Sequence, residues 1–226
     1  MNHKILQGTP FMPEQNNTPQ NETDTKIYHD QRSVALRTTQ SLYFVKEQDK
    51  TNMLTLLLAD YKEMQVVIVV KSKKKADALS VLLNEKGCLA AAVHGNHRQA
   101  QQQELAKKFN DTSLHILITT DMILQTLDLE NIKLLLSHDL PDVAQMYFNR
   151  LALMKEQGVA MALVSPEDEP YLDDIEYNMK KEIEEKTLEG FVASPKVQNV
   201  AKQKKDRTKK PRHRKNKMKK EQEEGL

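Results

Sequence analysis

Residues 66–128 read VVIVVKSKKKADALSVLLNEKGCLAAAVHGNHRQAQQQELAKKFNDTSLHILITTDMILQTLD. Short apolar runs alternate here with amphipathic stretches. The β-branched run at 66–70 predicts a strand buried on both faces, as in parallel sheets. Ser72 then caps a helix over 73–86, with Ala76, Leu79, Leu82 and Leu83 as its apolar stripe, and Gly87 stops it. A strand follows over 89–94. A helix over 99–109 comes next, with Ala100, Leu105, Ala106 and Phe109 inward, then a strand over 116–119. Residues 122–127 fit either a short helix or an irregular turn.

Outward from this stretch the alternation continues. QSLYFV at 40–45 predicts a first strand, and Asp49 an N-cap for a helix over 50–62 carrying Met53, Leu54, Leu57 and Leu58. Downstream come a strand over 133–137, a helix over 142–153 with Asp142 near its start, and a strand over 159–164. Ser165 and Pro166 open a last helix running to about 186. Strands and helices alternating without hairpin signals predict an α/β fold of three layers, a mostly parallel sheet with helices on both faces.

The chain has 226 residues, enough for one domain plus tails. A hydrophobic fraction of 38 % and a mean hydropathy of −0.67 are low for a fully globular chain, so part of it is expected to be disordered. The single cysteine, Cys88, excludes a disulfide framework and reads as a small buried hydrophobe. Residues 1–11 lack the apolar core of a signal peptide. No apolar run approaches the roughly 18 residues that span a bilayer. The expectation is a soluble, cytoplasmic protein without membrane contact. The net charge of +2 hides an asymmetry: residues 1–194 hold 21 Lys/Arg against 28 Asp/Glu, and residues 195–226 hold 13 against 4. The expected organisation is a disordered leader at 1–37, a folded domain at 38–190 and a basic disordered tail at 195–226.

ADALSVLLNEKGCLAAAVHGN, followed at matching gaps by ITTD, LDL and HDLPD, resembles the C-terminal RecA-like domain of DEAD-box RNA helicases, nearest the RhlE-like branch. The likeness runs over roughly residues 38–175. It implies a RecA-like fold with RNA and nucleotide contacts at the strand ends. It implies RNA-binding roles for Ser72, Lys73, Gly95, Thr120 and Asp121, and nucleotide contacts for Asp128 and Arg150. The same residues also read without a ligand: Ser72 and Thr120 as helix caps, Lys73 as a solvated charge, Gly95 as a turn and Arg150 as an ion-pair partner.

The chain departs from the family's pattern at the residues that grip. Aligned on Tyr147, the first arginine of the finger motif is Arg150, but the two finger positions are Leu153 and Glu156. Leucine donates no hydrogen bond, and glutamate repels a γ-phosphate; such arginines normally stabilise the transferring phosphoryl group. Gln102, Gln125 and Thr126 stand where the family has arginine, arginine and glycine. No phosphate loop or Asp-Glu-Ala-Asp sequence is present. The chain alone is therefore expected to bind no cofactor; ATP and magnesium would enter only if a separate N-terminal RecA-like domain supplied their site. No catalytic residue is assigned. No metal site is expected at His94 and His97, since no Cys/Asp/His cluster completes a tetrahedron.

The tail offers another binding element. Residues 207–220 carry Arg207, Lys209, Lys210, Arg212, Arg214, Lys215, Lys217, Lys219 and Lys220 with no acid and no aromatic residue. Lysine and arginine that neutralise phosphates release counterions and give salt-sensitive, sequence-independent affinity. Without aromatics the run offers no base stacking. The leading expectation is a non-catalytic RNA or ribonucleoprotein binding module. The alternatives are half of a split helicase completed by a separate RecA-like partner, and a regulatory competitor or scaffold in a helicase assembly.

Overall fold

The computed structural model describes residues 33–194, apart from Arg37, Glu63, Asn131 and residues 155–157. The leader before Ser33, the basic tail and Glu156 lie outside the described residues. The strands are β1 (Thr39–Phe44), β2 (Val66–Val69), β3 (Ala90–Val93), β4 (Ile116–Thr119), β5 (Leu134–Ser137), β6 (Val159–Val164) and β7 (Glu184–Glu185). The helices are α1 (Lys50–Ala59), α2 (Lys73–Glu85), α3 (Gln99–Asn110), α4 (Asp121–Leu124), α5 (Ala144–Ala152) and α6 (Glu169–Met179). All seven strands form one sheet in the order β3-β4-β2-β5-β6-β1-β7, and every pair is parallel.

The position of β2 follows from its composition. Val66, Val67, Ile68 and Val69 have no polar face to offer, and all are buried. β2 sits between β4 and β5, with Val67 level with Leu117 and Leu135. Its side chains alternate between two cores. Val67 and Val69 join Phe109, Leu124, Leu151 and Ile175, under α3, α4, α5 and α6. Val66 and Ile68 join Leu54, Leu57, Leu79 and Leu83, under α1 and α2. Each such fully buried aliphatic side chain contributes roughly 1.5–3 kcal/mol relative to exposure. Cys88 is half-buried and packs against the second core.

Several expectations need correction. The folded part begins inside the 1–37 leader: residues 33–36 form a helical turn, with Val34 and Ala35 buried in the first core. Thr38 ties this turn to β1, its amide and hydroxyl both donating to the Val34 carbonyl. Asp49 stands at the N-cap of α1, but its side chain makes no capping bond; a 3-10 turn over Glu47–Asp49 leads the chain in. α5 starts at Ala144, and Asp142, two residues before it, pairs with Lys71 at 2.7 Å. The last helix stops at Met179 rather than near 186. Lys180 takes the left-handed conformation (φ 56°, ψ 29°) and reverses the chain. Ile183 then buries, and Glu184 and Glu185 pair with Ser41 and Leu42 as an edge strand.

Candidate functional site

Parallel strands bring their C-terminal ends to one edge, where ligands of open α/β sheets bind. The turns after β2 and β3 meet there. The Ser72 hydroxyl accepts the Lys75 amide at 3.2 Å, capping α2. Lys73 Nζ donates to Asn96 Oδ1 at 2.8 Å. His94 is buried, and its Nε2 lies 2.8 Å from Asp77 Oδ1 on α2. Its ring leans on that of His97, with centroids 4.3 Å apart. Gly95 is exposed, and a Cβ there would stand 3.5 Å from Lys73 Nζ, an ordinary contact.

The ends of β4 and β5 are joined by Arg150, which is fully buried. Its Nε and Nη2 donate to the two carboxylate oxygens of Asp121 at 2.5 and 2.7 Å. Its Nη1 donates to Ser137 Oγ at 2.8 Å and to the Asp139 carbonyl at 2.9 Å. This bidentate pair explains why an arginine stands at this position. Arg150, a nucleotide contact by resemblance, is here buried and engaged as an ion-pair partner within the domain. Asp121, expected to meet RNA, has both oxygens engaged by that guanidinium. Thr120 opens α4 without a side-chain capping bond; its carbonyl accepts the Ile123 and Leu124 amides.

Where β1, β2, β5 and β6 end lies an ionic network that sequence reasoning missed, with Lys50, Asp139 and Asp168 buried at its centre. Lys50 Nζ is 2.7 Å from Asp168, 3.1 Å from Glu47 and 3.5 Å from Asp139. Lys75 Nζ lies 2.8 Å from both Glu47 and Asp139. Asp139 also accepts the Lys71 amide at 2.9 Å and lies 3.2 Å from His138 Nδ1. Burial works to raise the Asp139 carboxyl, but His138, Lys75 and the Lys71 amide outweigh it and hold the group far below the usual carboxylate range. Burial is likewise outweighed at Asp168, where Lys50 and the Ser165 hydroxyl and amide hold the carboxyl low. Both aspartates stay ionised at neutral pH, so neither can carry a proton there. HDLPD shows Asp139 in the sequence. Its partners come from positions 47 to 168, and no local spacing links them.

The Asp128 carbonyl accepts from Asn110, at the C-terminal end of α3, which runs back towards the other ends of the strands. Leu153 follows α5 as its C-cap and is half-buried. Arg207, Lys209, Lys210, Arg212, Arg214, Lys215, Lys217, Lys219 and Lys220 lie outside the described residues. Among the described residues no group of three or more His, Cys, Asp or Glu could hold a metal ion, and no helix is long and apolar enough to cross a membrane.

The model of the helicase conserved C-terminal domain matches residues 49–152. ATP-dependent RNA helicase SUB2-2 of Vanderwaltozyma polyspora is 34 % identical over 175 residues, covering 75 % of this chain and 40 % of that protein. DEAD-box ATP-dependent RNA helicase CshA of Bacillus cereus is 27 % identical over 157 residues, covering 68 % of this chain and 30 % of that protein. The crystal structure of a DEAD box protein from the hyperthermophile Methanococcus jannaschii superposes with a TM-score of 0.64 at 25 % identity, over 68 % of this chain and 43 % of that one. The chain thus spans less than half the length of these relatives. Fold, strand-end motifs and matches agree: residues 49–152 are a helicase conserved C-terminal domain of the DEAD-box RNA helicase kind.

Proposed function

We propose that this chain is an RNA-binding or ribonucleoprotein-binding member of the DEAD-box C-terminal-domain group, nearest the RhlE-like branch, and does not itself hydrolyse ATP. The observation that carries this reading is the fate of the arginines. Arg150 is consumed within the domain by Asp121, Ser137 and Asp139. The positions after it offer Leu153, and Glu156 in the sequence, where a phosphoryl-transfer site needs cations. Binding needs less than catalysis does. The strand-end loops, Lys73 beside Gly95, and the basic tail provide cations for a phosphate backbone. The curated relatives are described as RNA helicases, in keeping with RNA as the ligand class.

The test is single-stranded RNA binding by the full chain across a salt series, with RNA-stimulated phosphate release measured alongside. Salt-sensitive binding without phosphate release is expected. Phosphate release above background would overturn the non-catalytic reading, and absence of RNA binding would overturn the binding reading. A second reading is favoured by the chain spanning only 40 % and 30 % of its curated relatives: it is the C-terminal half of a helicase, working with an N-terminal RecA-like domain that supplies the ATP and magnesium site. Adding such a domain and measuring hydrolysis separates the two. No gain in rate leaves the binding module.

A further inference from the structure

β3 and β7 are the outer strands of the sheet. An outer strand presents a row of unpaired N–H and C=O groups, a template for pairing with another chain. At β3 the side chains add to that hazard. Residues 88–93 read CLAAAV, with no charge and no proline, and Leu89 is exposed. A run of this kind pairs readily wherever its edge is open.

The register shows which groups face outward. The Leu89 carbonyl accepts the Ile116 amide at 3.0 Å, so residues 89, 91 and 93 face β4, and Ala90, Ala92 and His94 face away from it. Asn84, in the last turn of α2, closes the first of these. Its Nδ2 donates to the Ala90 carbonyl at 2.7 Å, and its Oδ1 accepts the Ala90 amide at 3.2 Å. A side-chain amide holds a donor and an acceptor side by side, so it meets the backbone of Ala90 as a neighbouring strand would. The same Nδ2 donates to the Ser80 carbonyl at 2.7 Å, which fixes the side chain to its own helix. At the far end of β3 the His94 amide donates to His97 Nδ1 at 3.2 Å, and the His94 carbonyl accepts the His97 amide at 2.9 Å. Asp77, two helical turns before Asn84, holds the His94 ring, so α2 runs along this edge. Between the two stops Ala92 keeps its outward N–H and C=O without a partner among the described residues.

The opposite edge is closed by other means. β7 is two residues long, and both are exposed glutamates. The Lys186 amide donates to the Leu42 carbonyl at 2.8 Å, so Ile183 faces outward, and its amide donates to Glu176 Oε1 at 2.8 Å. Shortness and charge guard β7; β3 has neither charge nor proline, and relies on Asn84.

We propose that Asn84 is an edge stop, which occupies the outer side of β3 and keeps two copies of this chain from pairing there. The partner it excludes is a second copy. An uncharged strand with one free outward residue is complementary to itself about a two-fold axis, with Ala92 opposite Ala92 in an antiparallel, mutually hydrogen-bonded pair. Extending that pair to Ala90 requires the N–H and C=O that Asn84 holds.

The experiment takes the full chain through sedimentation velocity over a concentration series, for wild type, Asn84→Ala, and Asn84→Ala combined with Ala92→Pro. Wild type is expected to keep the monomer mass throughout. Asn84→Ala is expected to rise with concentration towards twice that mass, and its Ala92 amide to gain protection from hydrogen exchange as it does. Proline removes the outward N–H of Ala92 and is tolerated on an edge strand, so the double variant is expected to return to monomer. Asn84 is exposed and alanine is the better helix former, so α2 survives the exchange; circular dichroism and the urea midpoint check this. Asn84→Ser, whose hydroxyl is too short to reach Ala90, repeats the test with a polar residue. Folded Asn84 variants that stay monomeric at every concentration overturn the proposal. So does association that the added proline leaves unchanged, and so does a wild type that already dimerises with its Ala92 amide protected.

Discussion

Arg150 is the largest fully buried side chain among the described residues, and it makes four hydrogen bonds that no other side chain type could reproduce. Removing it leaves the Asp121 carboxylate, the Ser137 hydroxyl and the Asp139 carbonyl without their donor. Arg150→Met is therefore expected to cost about 3–5 kcal/mol in urea unfolding, the scale of breaking a buried pair by deleting one partner. Arg150→Lys should lie between, since an ammonium keeps the charge but not the fork. The ionic network makes a second prediction. Asp139 and Asp168 are held below their unfolded value near 3.9. A carboxylate depressed by folding stabilises the fold above its unfolded pKa and stops doing so as pH falls through its folded one. Stability should hold from neutrality to about pH 4 and then fall. Asp168→Asn should start less stable at pH 7 and decline less steeply below pH 4, as read from urea midpoints along a pH series.

At the scale of the element, caps and stops decide the boundaries. Ser72 caps α2 through its hydroxyl, so Ser72→Ala should cost about 1 kcal/mol and shift the unfolding midpoint accordingly. Lys180 ends α6 in a left-handed conformation that a side chain disfavours by roughly 1–2 kcal/mol. Lys180→Gly removes that strain but adds freedom to the unfolded chain, so a net gain of about 0.5 kcal/mol is expected by the same measurement. A fall in stability would show that other contacts hold Lys180 there. The stop was invisible in the sequence for a physical reason. Helices commonly reverse at glycine, and KKEIEEK has none. Its charge pattern reads equally well as an exposed helix. Only the apolar pocket that receives Ile183, and the open edge of β1, make reversal the better solution.

At the scale of the molecule, charge is divided between the folded part and the tail. Residues 1–194 carry an excess of acid, and residues 195–226 an excess of base. If all nine cations at 207–220 engage a single strand, the slope of log K against log salt has a magnitude of about 6. A chain ending at Ser194 is expected to keep the unfolding midpoint of the full chain, to bind RNA more weakly and to show a much shallower slope. Equal slopes for the two chains would place binding in the domain alone.

The alternation of apolar runs and amphipathic stretches by itself determined the α/β class, the succession of strands and helices apart from α4, and the burial of β2 on both faces. A β-branched run with no polar face has nowhere else to be buried, and 3.6- and 2-residue periodicities are written locally. The family resemblance carried by the motifs implied that Ser72, Lys73 and Asp121 stand at strand ends, and singled out Arg150. What they do there was decided by the tertiary structure. Whether Arg150 faces a ligand or Asp121 depends on how α5 packs over α4, and no spacing along the chain records that. The network of Lys50, Lys75, Asp139 and Asp168 draws on four strand ends, those of β1, β2, β5 and β6. Charges pair through space, so their partners appear only when the sheet has brought the strand ends together.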